Sequence, residues 1–125
     1  MQDVEECMKV LLVDDSATMR RIQKTQLGNL GISDIVEAGD GEQAISQLES
    51  SMPVDVILLD WNMPVMDGLT FLKKARANAN YKDVKIIMCT SESEKAKVVE
   101  ALKAGANNYI VKPFTPEALK EKLGL

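Results

Sequence analysis

Lys9-Val10-Leu11-Leu12-Val13-Asp14-Asp15 and Val56-Ile57-Leu58-Leu59-Asp60 are two apolar runs that each end in carboxylate. Runs this short and this aliphatic suit strands buried on both faces of a parallel sheet. A buried strand tolerates a terminal acid only where that acid emerges at the rim of the sheet. If the two strands are parallel neighbours, Asp14, Asp15 and Asp60 meet at one rim. Carboxylates gathered in this way repel one another unless a divalent cation or a proton intervenes. The rim is the candidate site.

Working outward, strand-like segments read Lys9–Val13, Asp34–Ala38, Asp55–Leu59, Val84–Cys89 and Asn107–Val111. Between them, positions at helical spacing are Met19, Ile22, Gln26 and Leu30; Ala44, Ile45 and Leu48; Leu69, Leu72 and Ala75; Val98, Val99 and Leu102. Ser16 can cap the first helix, Gly68 follows a turn, and Ser91 with Glu94 has capping-box spacing. Thr115-Pro116 places a cap before an N1 proline, and Gly31 and Gly105 stand where helices should stop. Five βα units with short connections predict an α/β fold, a parallel sheet covered by helices on both faces. The second strand, Asp34-Ile35-Val36-Glu37-Ala38, is the polar one, as an edge strand should be. The expected architecture is the flavodoxin-like five-stranded order 2-1-3-4-5, since a closed barrel would need eight units. The 125 residues form one domain, 1–125, with neither repeat nor linker.

The bulk composition narrows the function. With 46% apolar residues the chain can build a core without metal or disulfide staples, and the net charge of -4 argues against nucleic acid as a partner. No run approaches the roughly 20 apolar residues of a membrane span. The N-terminal Met1-Gln2-Asp3-Val4-Glu5-Glu6 lacks the basic-then-apolar pattern of a signal peptide. Cys7 and Cys89 form no spaced framework and are expected as reduced thiols in a cytoplasmic protein. Histidine is absent, which excludes histidine acid–base chemistry, His-ligated zinc and Ser-His or Cys-His nucleophiles. Carboxylate, hydroxyl and amine must do the chemistry.

In the order 2-1-3-4-5, ligands belong at the carboxyl ends of the strands, beside the switch point between strands one and three. Thr90-Ser91 ends strand four at that rim and Lys112-Pro113 ends strand five. Neighbouring strands lie about 4.8 Å apart, so strand five is one step away and only a side chain as long as Lys112 reaches across. Carboxylate oxygens with an open shell suit Mg²⁺. An acid beside such an ion can attack phosphorus and form an acyl phosphate. Lys112 can balance the phosphoryl charge, and Thr90 can donate a hydrogen bond to a phosphoryl oxygen. Each feature also has an ordinary reading. Asp14-Asp15 can cap a helix, Asp60 can start a turn, Thr90-Ser91 can cap, Lys112-Pro113 can end a strand, Tyr109 can simply pack, and Trp61 can cover the rim. Their joint occurrence at strand ends favours the phosphoryl-accepting site.

Asp14-Asp15, Asp60-Trp61-Asn62-Met63-Pro64 with Met66-Asp67-Gly68, Thr90 and Lys112-Pro113-Phe114 together resemble the receiver domain of two-component response regulators. The likeness runs from about Lys9 to Leu123. The segment Asp60–Leu69, with Ser16-x-Thr18-Met19-Arg20-Arg21-Ile22, is most similar to the chemotaxis members of that family. The resemblance implies that Asp60 is phosphorylated, and that Asp15, Asp60 and the backbone carbonyl of Asn62 ligate Mg²⁺ while Asp14 reaches it through water. It implies that Lys112 pairs with the phosphoryl group through a cis bond to Pro113. Thr90 and Tyr109 would form the coupled switch, and Asn62 and Glu92 would tune hydrolysis. The fourth helix, fifth strand and fifth helix would be the output surface. Such a protein is not a conventional enzyme, since it catalyses its own phosphorylation and dephosphorylation. The implied partners of this monomer are a chemotaxis histidine kinase, the flagellar motor switch protein and a phosphatase.

Three other functions fit parts of the pattern. A phosphorelay intermediate keeps the chemistry and passes phosphate to another protein. An aspartate-nucleophile phosphatase wants a second acid where Asn62 stands. A flavin carrier wants a hydroxyl- and glycine-rich loop where Asp14-Asp15 stands. The last helix, confined to Thr115–Leu125, is expected to be about two turns long, with Leu119 and Leu123 as its apolar contacts. That is shorter than in chemotaxis regulators generally, and it bears on motor binding.

Overall fold

A computed structural model describes residues 8–61, 66–90, 95–112 and 114–124. Strands β1 (Lys9–Val13), β2 (Asp34–Ala38), β3 (Val56–Asp60), β4 (Lys85–Thr90) and β5 (Asn108–Val111) alternate with five helices. These are α1 (Ala17–Asn29), α2 (Gly41–Ser51), α3 (Gly68–Ala77), α4 (Lys95–Ala104) and α5 (Pro116–Leu123). The sheet is parallel throughout, in the order β2-β1-β3-β4-β5. This is the flavodoxin-like topology, with the polar β2 at the edge.

The period-two alternation of the strands sorts the interior into two layers. Leu11, Val13, Ile57, Leu59, Ile86 and Met88 face α2, α3 and α4, where they meet Ala44, Leu48, Phe71, Leu72 and Ala101. Val10, Leu12, Val56, Leu58, Ile87, Cys89 and Ile110 face α1 and α5, meeting Leu27, Leu119 and Leu123. Because β1, β3 and β4 are covered on both sides, they read as continuous apolar runs rather than alternating ones. Their ends are therefore the first places where charge is tolerated.

Helix ends follow the cap chemistry of the sequence. Ser16 Oγ accepts from Met19 N at 3.1 Å, and Thr115 Oγ1 accepts from Ala118 N at 3.1 Å ahead of the N1 proline. Gly31 and Gly105, with φ of 90° and 116°, terminate α1 and α4 in a conformation that side chains resist. Ser91 and Glu94 lie outside the described residues. The strand ends differ from the sequence reading by one residue: Asp60 is the last residue of β3 rather than its successor.

Two helix faces differ from expectation. In α1 the buried positions are Gln23 and Leu27, while Ile22 is 49% exposed. The Met19–Ile22–Gln26 stripe is thus rotated by one position, because a polar Gln23 occupies the core-facing site and masked the true period. In α4, Val98 and Ala101 are buried, whereas Val99 and Leu102 are 55% and 42% exposed. Apolar residues here lie on both faces, so composition alone misassigned the packed one. Accordingly, Leu27→Ala should cost about 2–5 kcal/mol in urea unfolding. Ile22→Ala should stay within about 0.5 kcal/mol of the parent.

Candidate phosphoryl-acceptor site

Val13 pairs with Leu59, so β1 and β3 end level and deliver Asp14 and Asp60 side by side. Asp14, Asp15 and Asp60 each offer a carboxylate oxygen, and these atoms all lie within 4.8 Å of one another. Asp14 and Asp60 are buried, and Asp15 is exposed. Lys112, one residue beyond the end of β5, reaches over β4 to place Nζ 3.0 Å from Asp60 Oδ1 and 3.4 Å from Asp14 Oδ2. The expectation that only this long side chain crosses the gap is met.

Asp14 has every polar handle engaged. Its N–H donates to Ala38 O at 3.1 Å, and its Oδ1 accepts from Ser16 N at 2.9 Å. Its Oδ2 faces Lys112, and its main-chain carbonyl accepts from the Arg20 guanidinium. Asp60 is held differently. Burial pushes its carboxyl above the usual range and the neighbouring Asp14 and Asp15 add to that, while Lys112 offsets only part of it. Lys112 itself loses solvation, yet its contacts with Asp60 and Asp14 hold its ammonium above the ordinary value. One ammonium does not balance three carboxylates. The donor set is all oxygen, clustered and under-neutralised, which fits a hard divalent cation such as Mg²⁺.

Thr90, the last residue of β4, is fully buried, and among the described residues its Oγ1 has no hydrogen-bond partner. Leaving a buried hydroxyl unpaired costs about 1–3 kcal/mol, which makes the group a candidate to bond a visiting partner. Thr90 pairs with Val111, two residues past Tyr109, and the threonine and tyrosine therefore share one face of the sheet. Tyr109 is partly exposed, with Lys122 Nζ 4.8 Å from its ring centroid. Asn62, Glu92 and Pro113 lie outside the described residues, and with them the carbonyl ligand, the hydrolysis-tuning pair and the cis bond to Pro113.

Sequence reasoning quoted Arg20 within the chemotaxis-like segment but gave it no role of its own, since its contact with Asp14 is visible only once α1 is docked. Nor did it explain Gly68. A Cβ there would lie 2.3 Å from the Asp60 carbonyl oxygen and 3.0 Å from Trp61 Cα. The glycine lets the start of α3 press against the end of β3, with Gly68 N donating to Trp61 O at 2.9 Å. Asp67 caps α3 by accepting from Thr70 N at 2.8 Å, and this bond to the carboxylate lowers its pKa. The Asp-Gly dipeptide was the available signal for that turn. Trp61 is not a mere rim cover: it is buried in the layer facing α2, α3 and α4, with Lys97 Nζ 5.3 Å from its ring centroid.

The profile of the response regulator receiver domain matches residues 10–124. This chain belongs to that family. A chemotaxis protein CheY homolog of Campylobacter jejuni is 57% identical over 116 residues, covering 93% of this chain and 89% of the relative. The structure of Vibrio cholerae chemotaxis protein CheY4 superposes with a TM-score of 0.85 at 38% identity, covering 94% of this chain and 96% of that one. The receiver domain of a sensor histidine kinase from Pseudomonas aeruginosa, described with a magnesium ion coordinated in its active site cleft, gives a TM-score of 0.83. It is 32% identical and covers 93% of both chains.

Two outcomes follow from the site geometry. Gly68→Ala should lose about 1–3 kcal/mol in urea unfolding, because the backbone of β3 must move. Gly28→Ala, a helical position with nothing within 4 Å of an added Cβ, should instead gain up to about 1 kcal/mol. Cys89 is buried and its thiol is pushed up to about 12 by desolvation, with Asp60 and Asp14 adding to it. Thiolate is therefore scarce at pH 8, and peptide mapping after iodoacetamide should find Cys89 unmodified until the protein is unfolded.

Proposed function

We propose that this protein is a phosphorylation-activated signalling switch of bacterial chemotaxis. It accepts a phosphoryl group from a histidine kinase on Asp60 and changes its α4–β5–α5 surface to regulate the flagellar motor. The observation that carries this reading is the Lys112 ammonium bridging two buried carboxylates at the ends of adjacent strands. Family membership and the chemotaxis relatives support it. The proposed setting is the cytoplasm. No helix of the described residues is long and apolar enough to cross a membrane.

Asp15, Asp60 and the Asn62 carbonyl are the proposed direct ligands of Mg²⁺, with Asp14 acting through water. When bound, the ion supplies positive charge beside the transferring phosphoryl group. The remaining work falls to the chain. An Asp60 carboxylate oxygen attacks phosphorus, a P–O bond forms, and the bond to the donor's imidazole nitrogen breaks. The nitrogen keeps the bonding pair and takes up a proton. Lys112 then pairs with a phosphoryl oxygen instead of with Asp60 alone. The Thr90 hydroxyl, which has no partner among the described residues, donates to another oxygen. Hydrolysis of the acyl phosphate resets the pocket, at a rate tuned by Asn62 and Glu92.

The product adds a charge of roughly -1.5 to -2, enough to bias a bistable element. Movement of Thr90 toward the phosphoryl group vacates space on the sheet face that it shares with Tyr109. The tyrosine turns inward and leaves Lys122. The exposed Val99 and Leu102 of α4, with Tyr109, lie on this output surface. A phosphorelay intermediate remains the second reading, since it needs the same pocket and no motor surface. A monomer is proposed in both cases.

Intact mass spectrometry after acetyl phosphate and Mg²⁺ should show one phosphoryl adduct mapping to Asp60, and Asp60→Asn should abolish it while the fold persists. Undiminished labelling of that variant removes Asp60 from its role. Lys112→Ala should weaken the response to phosphorylation more than it weakens Mg²⁺ binding. Pull-down by a motor-switch peptide should require beryllofluoride; binding without it, or none with it, counts against the motor reading.

A further inference from the structure

Arg20 stands behind the acidic pocket rather than in it. From the first turn of α1 its guanidinium donates through Nη1 to the main-chain carbonyl of Asp14 and through Nε to Glu37 Oε1 at 2.9 Å. Glu37 lies on the edge strand β2 and also receives Lys24 Nζ at 3.2 Å. The Arg20 side chain is 19% exposed, so the pairing is partly shielded from water. The residue that presents the site's first carboxylate is thus gripped on its main chain by a charge-assisted hydrogen bond from an adjacent helix.

We propose that Arg20, oriented by Glu37, is a positioning residue for cation and phosphoryl binding. By fixing the Asp14 carbonyl it sets the direction in which the Asp14 and Asp15 side chains leave β1 and face Asp60. This rests on the reading of the pocket as a Mg²⁺-dependent phosphoryl acceptor. The planar guanidinium spans two acceptors on different elements at once, which a lysine ammonium on the same stem does less well. The Arg20 bond adds to the Asp14 N–H and Ser16 N–H contacts, the Lys112 contact with Asp14 Oδ2 and the Ser16 cap of α1, and is the one that holds the Asp14 carbonyl among the described residues.

Electrostatics and positioning predict opposite signs, which makes the proposal testable. If Arg20 acted only through its charge, removing a cation near the pocket would strengthen Mg²⁺ binding. If it positions the loop, removing it weakens binding. Mg²⁺ titration followed by Trp61 emission should show Arg20→Gln requiring about tenfold more Mg²⁺, the lower end of what outer-shell partners contribute to metal sites. At saturating Mg²⁺ its labelling by acetyl phosphate should return to the parent rate. Arg20→Lys should fall between the two. Glu37→Gln should weaken binding less than Arg20→Gln, and the double variant should be no weaker than Arg20→Gln alone, as expected when one residue acts through the other.

Unchanged or tighter Mg²⁺ binding in Arg20→Gln overturns the proposal, as does additivity in the double variant. Should Arg20→Gln fail to melt cooperatively, Arg20→Lys decides, and parent-like Mg²⁺ binding in that variant then counts against it. If the parent protein itself shows no Mg²⁺-dependent labelling, the reading of the pocket falls and this inference falls with it. If the parent labels normally and only the Arg20 results fail, the pocket reading stands alone.

Discussion

The Lys112 ammonium, set 3.0 Å from Asp60 and 3.4 Å from Asp14, is the interaction on which the site depends. Two carboxylates delivered to the same rim by adjacent buried strands would repel one another in a low-dielectric setting. A cation from the far side of β4 lets them coexist. It neutralises only part of the charge, which leaves an oxygen-rich cluster of the kind that suits a divalent ion.

The proposed route from that imbalance to a signal rests on the order of the strands. The strand that leads into Lys112 also carries Tyr109, whose ring lies 4.8 Å from Lys122 Nζ of α5. Thr90 ends the neighbouring strand with a buried hydroxyl that lacks a partner among the described residues. In the proposed switch, a new anion at Asp60 would act on Lys112, which already contacts that carboxylate, and on Thr90 at the end of the adjacent strand. The proposed coupling would need no long pathway, because Asp60, Thr90 and Tyr109 stand on the neighbouring strands β3, β4 and β5.

Most of this was legible in the sequence because buried parallel strands leave an unambiguous trace. Val10–Val13 and Val56–Leu59 have no room for polar residues, so Asp14, Asp15 and Asp60 stood out, and Lys112 and Thr90 followed from their places at strand ends. Helix faces were less legible. Gln23 occupies a core position that hydrophobic spacing cannot flag, and Val99 and Leu102 are apolar yet exposed. The contacts of Arg20 were illegible for another reason: its partners are a backbone carbonyl and a glutamate on a different element, and tertiary contacts of that kind leave no periodic signature.

The sharpest test is a crystal structure of the protein with Mg²⁺ and beryllofluoride. The account predicts beryllium bonded to an Asp60 oxygen, Lys112 Nζ and Thr90 Oγ1 both within hydrogen-bond distance of the fluorides, and the Tyr109 ring withdrawn from Lys122. An adduct on any other side chain, or a bound adduct that leaves the Thr90 hydroxyl without a partner, would contradict it.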